Sequence, residues 1–143
     1  MTTPIFMPTP STQVRWWWKP PAWCAVAAGR VLAKIPPARL RRVLESVSAG
    51  ARPATAQEAQ RALDAVLSSS LRCRGEYCLQ RSIATALLCR LAGTWPEFRV
   101  GAQSQPFRAH AWVSVNGTAV GELPETIRGL GTLLLIPPRP VTR

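Results

Sequence analysis

Two residue types in this chain could together do covalent chemistry. Cys78 stands at the start of a stretch, Tyr77-Cys78-Leu79-Gln80-Arg81-Ser82-Ile83-Ala84, that reads as the opening of an amphipathic helix. Ile83, Ala84, Leu87, Leu88 and Leu91 fall on one helical stripe, and Gly93 supplies the stop signal. A thiol in the first turn of a helix meets the positive end of the backbone dipole, which favours thiolate. His110, the only histidine, lies downstream in a segment of alternating polarity that reads as a strand. A thiolate and an imidazole able to ionise it are two of the three groups that a cysteine peptidase or acyl transferase requires. The bland alternative for any cysteine on an apolar helix is a core position, and Cys24, Cys73 and Cys89 are read that way.

The third group, which must orient the imidazole, depends on hairpin register. Ala109 to Val115, an Asn116-Gly117 turn and Thr118 to Leu123 form the clearest hairpin signal in the sequence. A tight two-residue turn pairs His110 with Leu123 and sends Glu122 to the opposite face. A three-residue turn with Gly117 in a bulge sets Glu122 across from His110. It also collects Ala111, Val113, Val115, Ala119, Gly121 and Leu123 on one apolar side. Because a slip of one residue flips every side chain, this segregation favours the bulged turn. Glu122 is therefore the expected orienting acid, with Asn116 as the alternative.

The elements that must position these groups follow in order. Residues 1–21 read as a flexible arm rich in proline and tryptophan, with four tryptophans between Arg15 and Trp23 beside basic residues. They fit a membrane surface, the core, or a protein partner. Residues 22–143 form one domain, whose part 22–70 is helical and whose part 71–136 carries the Cys78 helix and an antiparallel sheet. Helices are expected over Ala22 to Ala33 and Pro37 to Val47, separated by Pro36-Pro37. A third is opened by a Thr55…Glu58 capping box. Strands are expected over Glu97 to Ala102, in the hairpin, and over Thr132 to Ile136. Helices first and a small sheet afterwards make an α+β fold.

Composition narrows the function further. At 143 residues and 47% hydrophobic content the chain can bury a core. Lys and Arg number 18 against seven Asp and Glu, so an acidic partner or a solubilising basic shell would fit. The arginines are scattered over helical faces, which disfavours nucleic acid. No secretory signal is evident and the longest apolar stretch is interrupted by charge, so reduced thiols in the cytoplasm are expected. No C-x₂-C spacing and no second histidine support a metal, and no phosphate-binding glycine motif supports a cofactor.

The blocks Cys78-Leu79-Gln80-Arg81-Ser82, Phe98-Arg99-Val100-Gly101 and His110-Ala111-Trp112-Val113 with Asn116-Gly117, in this order, resemble the lasso-peptide leader peptidases. The match covers about Leu71 to Glu122. The resemblance implies a transglutaminase-like, papain-related cysteine protease fold, with Cys78 as nucleophile and His110 as base. The family's acid falls at Glu122, where aspartate is usual. Tyr77, Gln80 and Trp112 are the candidates for holding the oxyanion or the substrate. The resemblance also implies cleavage of a precursor after its leader, with a threonine near the leader's end as the recognition point. Lacking a winged-helix recognition domain, the chain resembles the split form. Its expected partners are the precursor peptide, a separate leader-binding protein, an ATP-dependent lasso cyclase, and a membrane surface or exporter. The rival readings are an acyl transferase or amidase on the same fold, and a non-catalytic adaptor.

Overall fold

The computed structural model describes residues 16–69 and 77–139. Cys73, the residues around it and most of the N-terminal arm lie outside the described residues. A 3₁₀ turn, Trp16–Trp18, leads into α1 (Lys19–Leu32), which begins three residues before Ala22 with Pro20 and Pro21 in its first turn. There proline costs no hydrogen bond. Trp18 already packs on the core, so the arm's last residues belong to the folded body. Helix α2 (Pro37–Ser48) follows, with Leu40 and Leu44 turned inward. Helix α3 (Ala56–Ser69) starts on the expected capping box. Thr55 Oγ1 accepts the Glu58 N–H at 3.1 Å, and Glu58 Oε1 accepts the Thr55 N–H at 3.0 Å.

Helix α4 (Cys78–Leu91) ends before Gly93, whose φ of +86° suits the position after a helix. It departs from the expected amphipathic pattern. Arg81 to Ala86, Leu88 and Cys89 are buried around most of its circumference, while Leu91, expected on the apolar stripe, is 68% exposed. The reason is its central place. Ala84 and Leu88 meet α1 and α3, while Ile83 and Ala86 meet the sheet side. Gly29 of α1 lets the two helices touch, since a Cβ there would stand 2.9 Å from the Gln80 carbonyl oxygen.

The sheet contains β3 (Glu97–Ser104), β4 (Phe107–Val115), β5 (Thr118–Ala119) and β6 (Gly131–Ile136), in the antiparallel order β5-β4-β3-β6. A small parallel pair, β1 (Arg52–Pro53) with β2 (Thr94–Trp95), and a short helix α5 (Pro124–Ile127) carried no signal strong enough to be read from sequence. Trp95 and Phe98 are fully buried between α2, α4 and the sheet. The Trp95 Nε1–H donates to the Ile136 carbonyl at 3.1 Å, so its polar edge is not stranded. Each such ring stabilises the fold by roughly 1.5–3 kcal/mol.

The hairpin register differs from the expectation. Val115 pairs with Thr118 and Ser114 with Ala119, which is the two-residue turn, with Asn116 at φ 52° and Gly117 at φ 80°. Segregation of faces misled because β4 has no polar side: Ala111 to Ser114 are all buried, so neither register left a face to water. The turn is also clamped from β3. Glu97 Oε1 accepts the Gly117 N–H at 2.9 Å and the Ser114 hydroxyl at 2.8 Å. The expected strand to Leu123 stops at Ala119.

Candidate active site

Pairing continues one residue past β5, through the Val120 N–H to the Val113 carbonyl at 2.9 Å, and then breaks. Gly121 takes φ +70°, a left-handed conformation that glycine adopts without steric cost. Two consequences follow. Glu122, which regular continuation would have turned away, swings back to the His110 side. The outer edge of β4 beside Ala111 is also vacated, and its N–H points to where the strand would have run.

Cys78 fills that edge. The Ala111 N–H and the His110 imidazole both face its sulfur and favour the thiolate. On the other side of the ring, His110 Nε2 lies 3.1 Å from Glu122 Oε2. That N–H is buried and not aimed along the line to the carboxylate, so the contact is a close ion pair, short of an aligned hydrogen bond. With Nε2 on the acid side, Nδ1 is the nitrogen left for the thiol. Trp112 stacks on the imidazole, with ring centroids 6.1 Å apart and planes 17° from parallel. The indole in turn lies over Gly101, where a Cβ would meet it at 3.0 Å. Trp112 is thus a wall of the site and holds the ring, while Gly101 makes room for it.

The sequence reading missed Arg81. One helical turn beyond Cys78 on the same side of α4, Arg81 is buried and its Nη2 donates to Glu122 Oε1 at 3.1 Å. Both side chains of this pair are only 5% exposed. The available signal was the i, i+3 spacing from the nucleophile. Arg81 and His110 share the two oxygens of Glu122, and His110 faces Cys78. The order of charge is guanidinium, carboxylate, imidazolium, thiolate, each beside its opposite.

Protonation follows from this order. Burial alone would raise the Cys78 thiol. The His110 imidazole and the Ala111 N–H that face it, with the positive charges of His110 and Arg81, outweigh burial and hold it below its ordinary 9.0. Burial would likewise lower His110, but its contacts with the thiolate and with Glu122 raise it to about 9. The two titrate as a pair, and the ion-pair form is the one favoured. Cys89 contrasts: burial pushes its thiol up to about 12, which makes it inert. Cys24, expected in the core, is exposed on α1.

The remaining candidates separate by position. Tyr77 is the N-cap residue, exposed and adjacent to the thiol. Helical bonding begins with the Arg81 N–H to the Tyr77 carbonyl at 3.0 Å, so the N–H groups of Cys78, Leu79 and Gln80 have no intrahelical partner. An oxyanion beside Cys78 would find its donors there. Gln80 lies about 200° around the α4 axis from Cys78, with its carbonyl oxygen against Gly29 of α1 and its side-chain Oε1 buried without a hydrogen-bond partner. Asn116 is exposed at the hairpin tip, about 20 Å along the strand from His110, and cannot orient it.

A thiol, an imidazole and a carboxylate so arranged belong to covalent acyl chemistry. The chain belongs to the transglutaminase-like superfamily, whose sequence profile matches residues 22–134. That superfamily contains cysteine peptidases and acyltransferases, often with a Cys-His-Asp site. No curated protein and no solved structure gives a significant match to the chain.

Proposed function

We propose that this chain is a cysteine peptidase that removes the leader from a lasso-peptide precursor, with Cys78, His110 and Glu122 as its triad. The observation that carries the proposal is the contact series from Glu122 through His110 to Cys78 at the first turn of α4. The Cys78 thiolate attacks the carbonyl of the last leader residue, and the oxyanion is held by first-turn N–H groups of α4. His110 gives its proton to the departing amine, which becomes the N-terminus of the core peptide. Water, deprotonated by His110, then attacks the thioester, releasing the leader as an acid and restoring the thiolate. Glu122 keeps the imidazole in place and stabilises its charge, and Arg81 keeps Glu122 in place.

The leader would be delivered by a separate recognition protein, and the freed core would pass to an ATP-dependent cyclase. Both partners rest on the motif resemblance. The direct test incubates the chain, precursor and recognition protein and follows products by mass spectrometry. A free leader acid that disappears with Cys78→Ala supports the proposal. A leader transferred to another amine would reassign the chain to acyl transfer, and cleavage unaffected by Cys78→Ala would make it an adaptor.

A further inference from the structure

Helix α1 is apolar on both sides. Its inner face, Ala22, Ala25, Val26 and Gly29, is buried against α3 and α4. Its outer face carries Pro20, Trp23, Cys24, Ala27 and Val31 at helical spacing, and all five are exposed. Trp23 is 57% and Val31 64% exposed, and Trp17, on the turn just before, is 49% exposed. A surface helix ordinarily shows polar residues outward, so this stripe calls for a covering.

The charge around it says which. Between Met1 and Leu44 the chain has seven Lys and Arg residues and no Asp or Glu. Lys19 and Arg30 flank the stripe directly, both exposed, and Lys34 follows one turn later. Indole rings beside cations, on a helix lying flat against its domain, match the chemistry of the bilayer interface. Among the described residues no helix is long and apolar enough to cross a membrane, so the contact would be peripheral. We infer that the outer face of α1, with Trp17, docks this protein on an anionic phospholipid surface.

The geometry leaves the thiol uncovered in that state. Gly29 brings α1 against Gln80 and Ala84 of α4, which lie on the far side of that helix from Cys78. A lipid-bound chain would thus present its site away from the bilayer. This inference does not depend on the chemistry proposed above.

The test is sedimentation with vesicles, read also by tryptophan emission. Vesicles of phosphatidylcholine and phosphatidylglycerol in equal parts should bind the protein and shift its emission to the blue. Pure phosphatidylcholine should bind it far less, and raised salt should release it. Trp23→Ser with Val31→Ser should weaken binding by at least about tenfold. Lys19→Gln with Arg30→Gln, at exposed sites where folding is undisturbed, should weaken it on the order of twentyfold at low salt. Three results would overturn the inference: no binding to anionic vesicles, binding unchanged in both variants, or a dimer that Trp23→Ser with Val31→Ser dissolves. The last would make the stripe an interface between copies.

Discussion

Gly121→Ala tests the link between the backbone and the chemistry. An alanine at φ +70° costs about 1–2 kcal/mol in the left-handed region. Its Cβ would also overlap Leu63 Cδ2 in the core between α3 and the hairpin, and forced repacking costs roughly 1–3 kcal/mol. Together they destabilise by about 2–5 kcal/mol, a fall in Tm on the order of 10 °C for a chain of this size. The alternative open to the chain is to straighten the bend, which withdraws Glu122 from His110 and returns an ordinary strand partner to Ala111. That second route raises the Cys78 thiol, because the imidazolium and the Ala111 N–H help to hold it down.

The assay is the rate of Cys78 alkylation by iodoacetamide across pH, followed by intact mass beside a Tm measurement. It needs no substrate. Gly121→Ala should lower Tm and, where the bend straightens, move the alkylation profile toward that of an ordinary thiol. Gly121→Asn, which tolerates the left-handed region better, should keep part of the stability. A Tm within about 1 °C of the parent would refute the packing argument. A lowered Tm with an unchanged alkylation profile would show that the chain keeps the bend and bears its cost; a straightened bend with an unchanged profile would refute the link to the thiol.

Other substitutions probe the charges individually. Glu122→Gln, nearly isosteric, removes the counter-charge that Glu122 gives the buried Arg81 guanidinium and should lower stability. Under the proposed function it should also slow acylation of the folded protein about 10²–10⁴-fold, measured as single-turnover release of the core peptide. An unchanged rate would remove Glu122 from the orienting role. Arg81→Met strands a buried carboxylate and should cost about 3–5 kcal/mol by denaturant unfolding, whereas Arg81→Met with Glu122→Gln should recover much of it. No recovery in the double variant would mean that the pair is not coupled. His110 titrates at about 9 in the fold against its ordinary 6.5, so its contribution to stability is complete below 6.5 and lost as pH rises through about 9. A Tm-versus-pH curve of His110→Ala should lack that alkaline loss.

The sequence was most informative where a local rule admits one structural solution. The Thr55…Glu58 box fixed the start of α3, Pro36-Pro37 separated α1 from α2, and Cys78 took the first position of α4. It was least informative where tertiary surroundings decide. The hairpin register turned on the Glu97 clamp and on burial of both faces of β4, neither visible in the hairpin's own residues. The outward look of α4 was misjudged for the same reason: alternation of apolar and polar residues says little about a helix enclosed on several sides. Arg81 stands in the quoted motif without a role, because arginine is ordinarily a surface residue and only the fold shows it buried.

The register was misread, yet Glu122 still meets His110. The sequence argument required one extra left-handed residue to bring an acid onto the histidine's side of the sheet, and it placed that residue at Gly117. The fold spends Gly117 on the tight turn and puts the reversal at Gly121, four residues later. The difference matters chemically. A bulge at Gly117 would have kept β5 paired along β4 past Ala111, filling the edge that the Cys78 sulfur now occupies. Placing the bend at Gly121 both returns the acid and frees the Ala111 N–H for the thiolate. Glutamate in place of the family's usual aspartate fits the same account. Its longer reach is taken up by Arg81, which holds Oε1 at 3.1 Å while Oε2 faces the imidazole. In a site with aspartate, a shorter chain would have to hold both contacts, so Glu122→Asp should weaken one of them unless the bend moves with it.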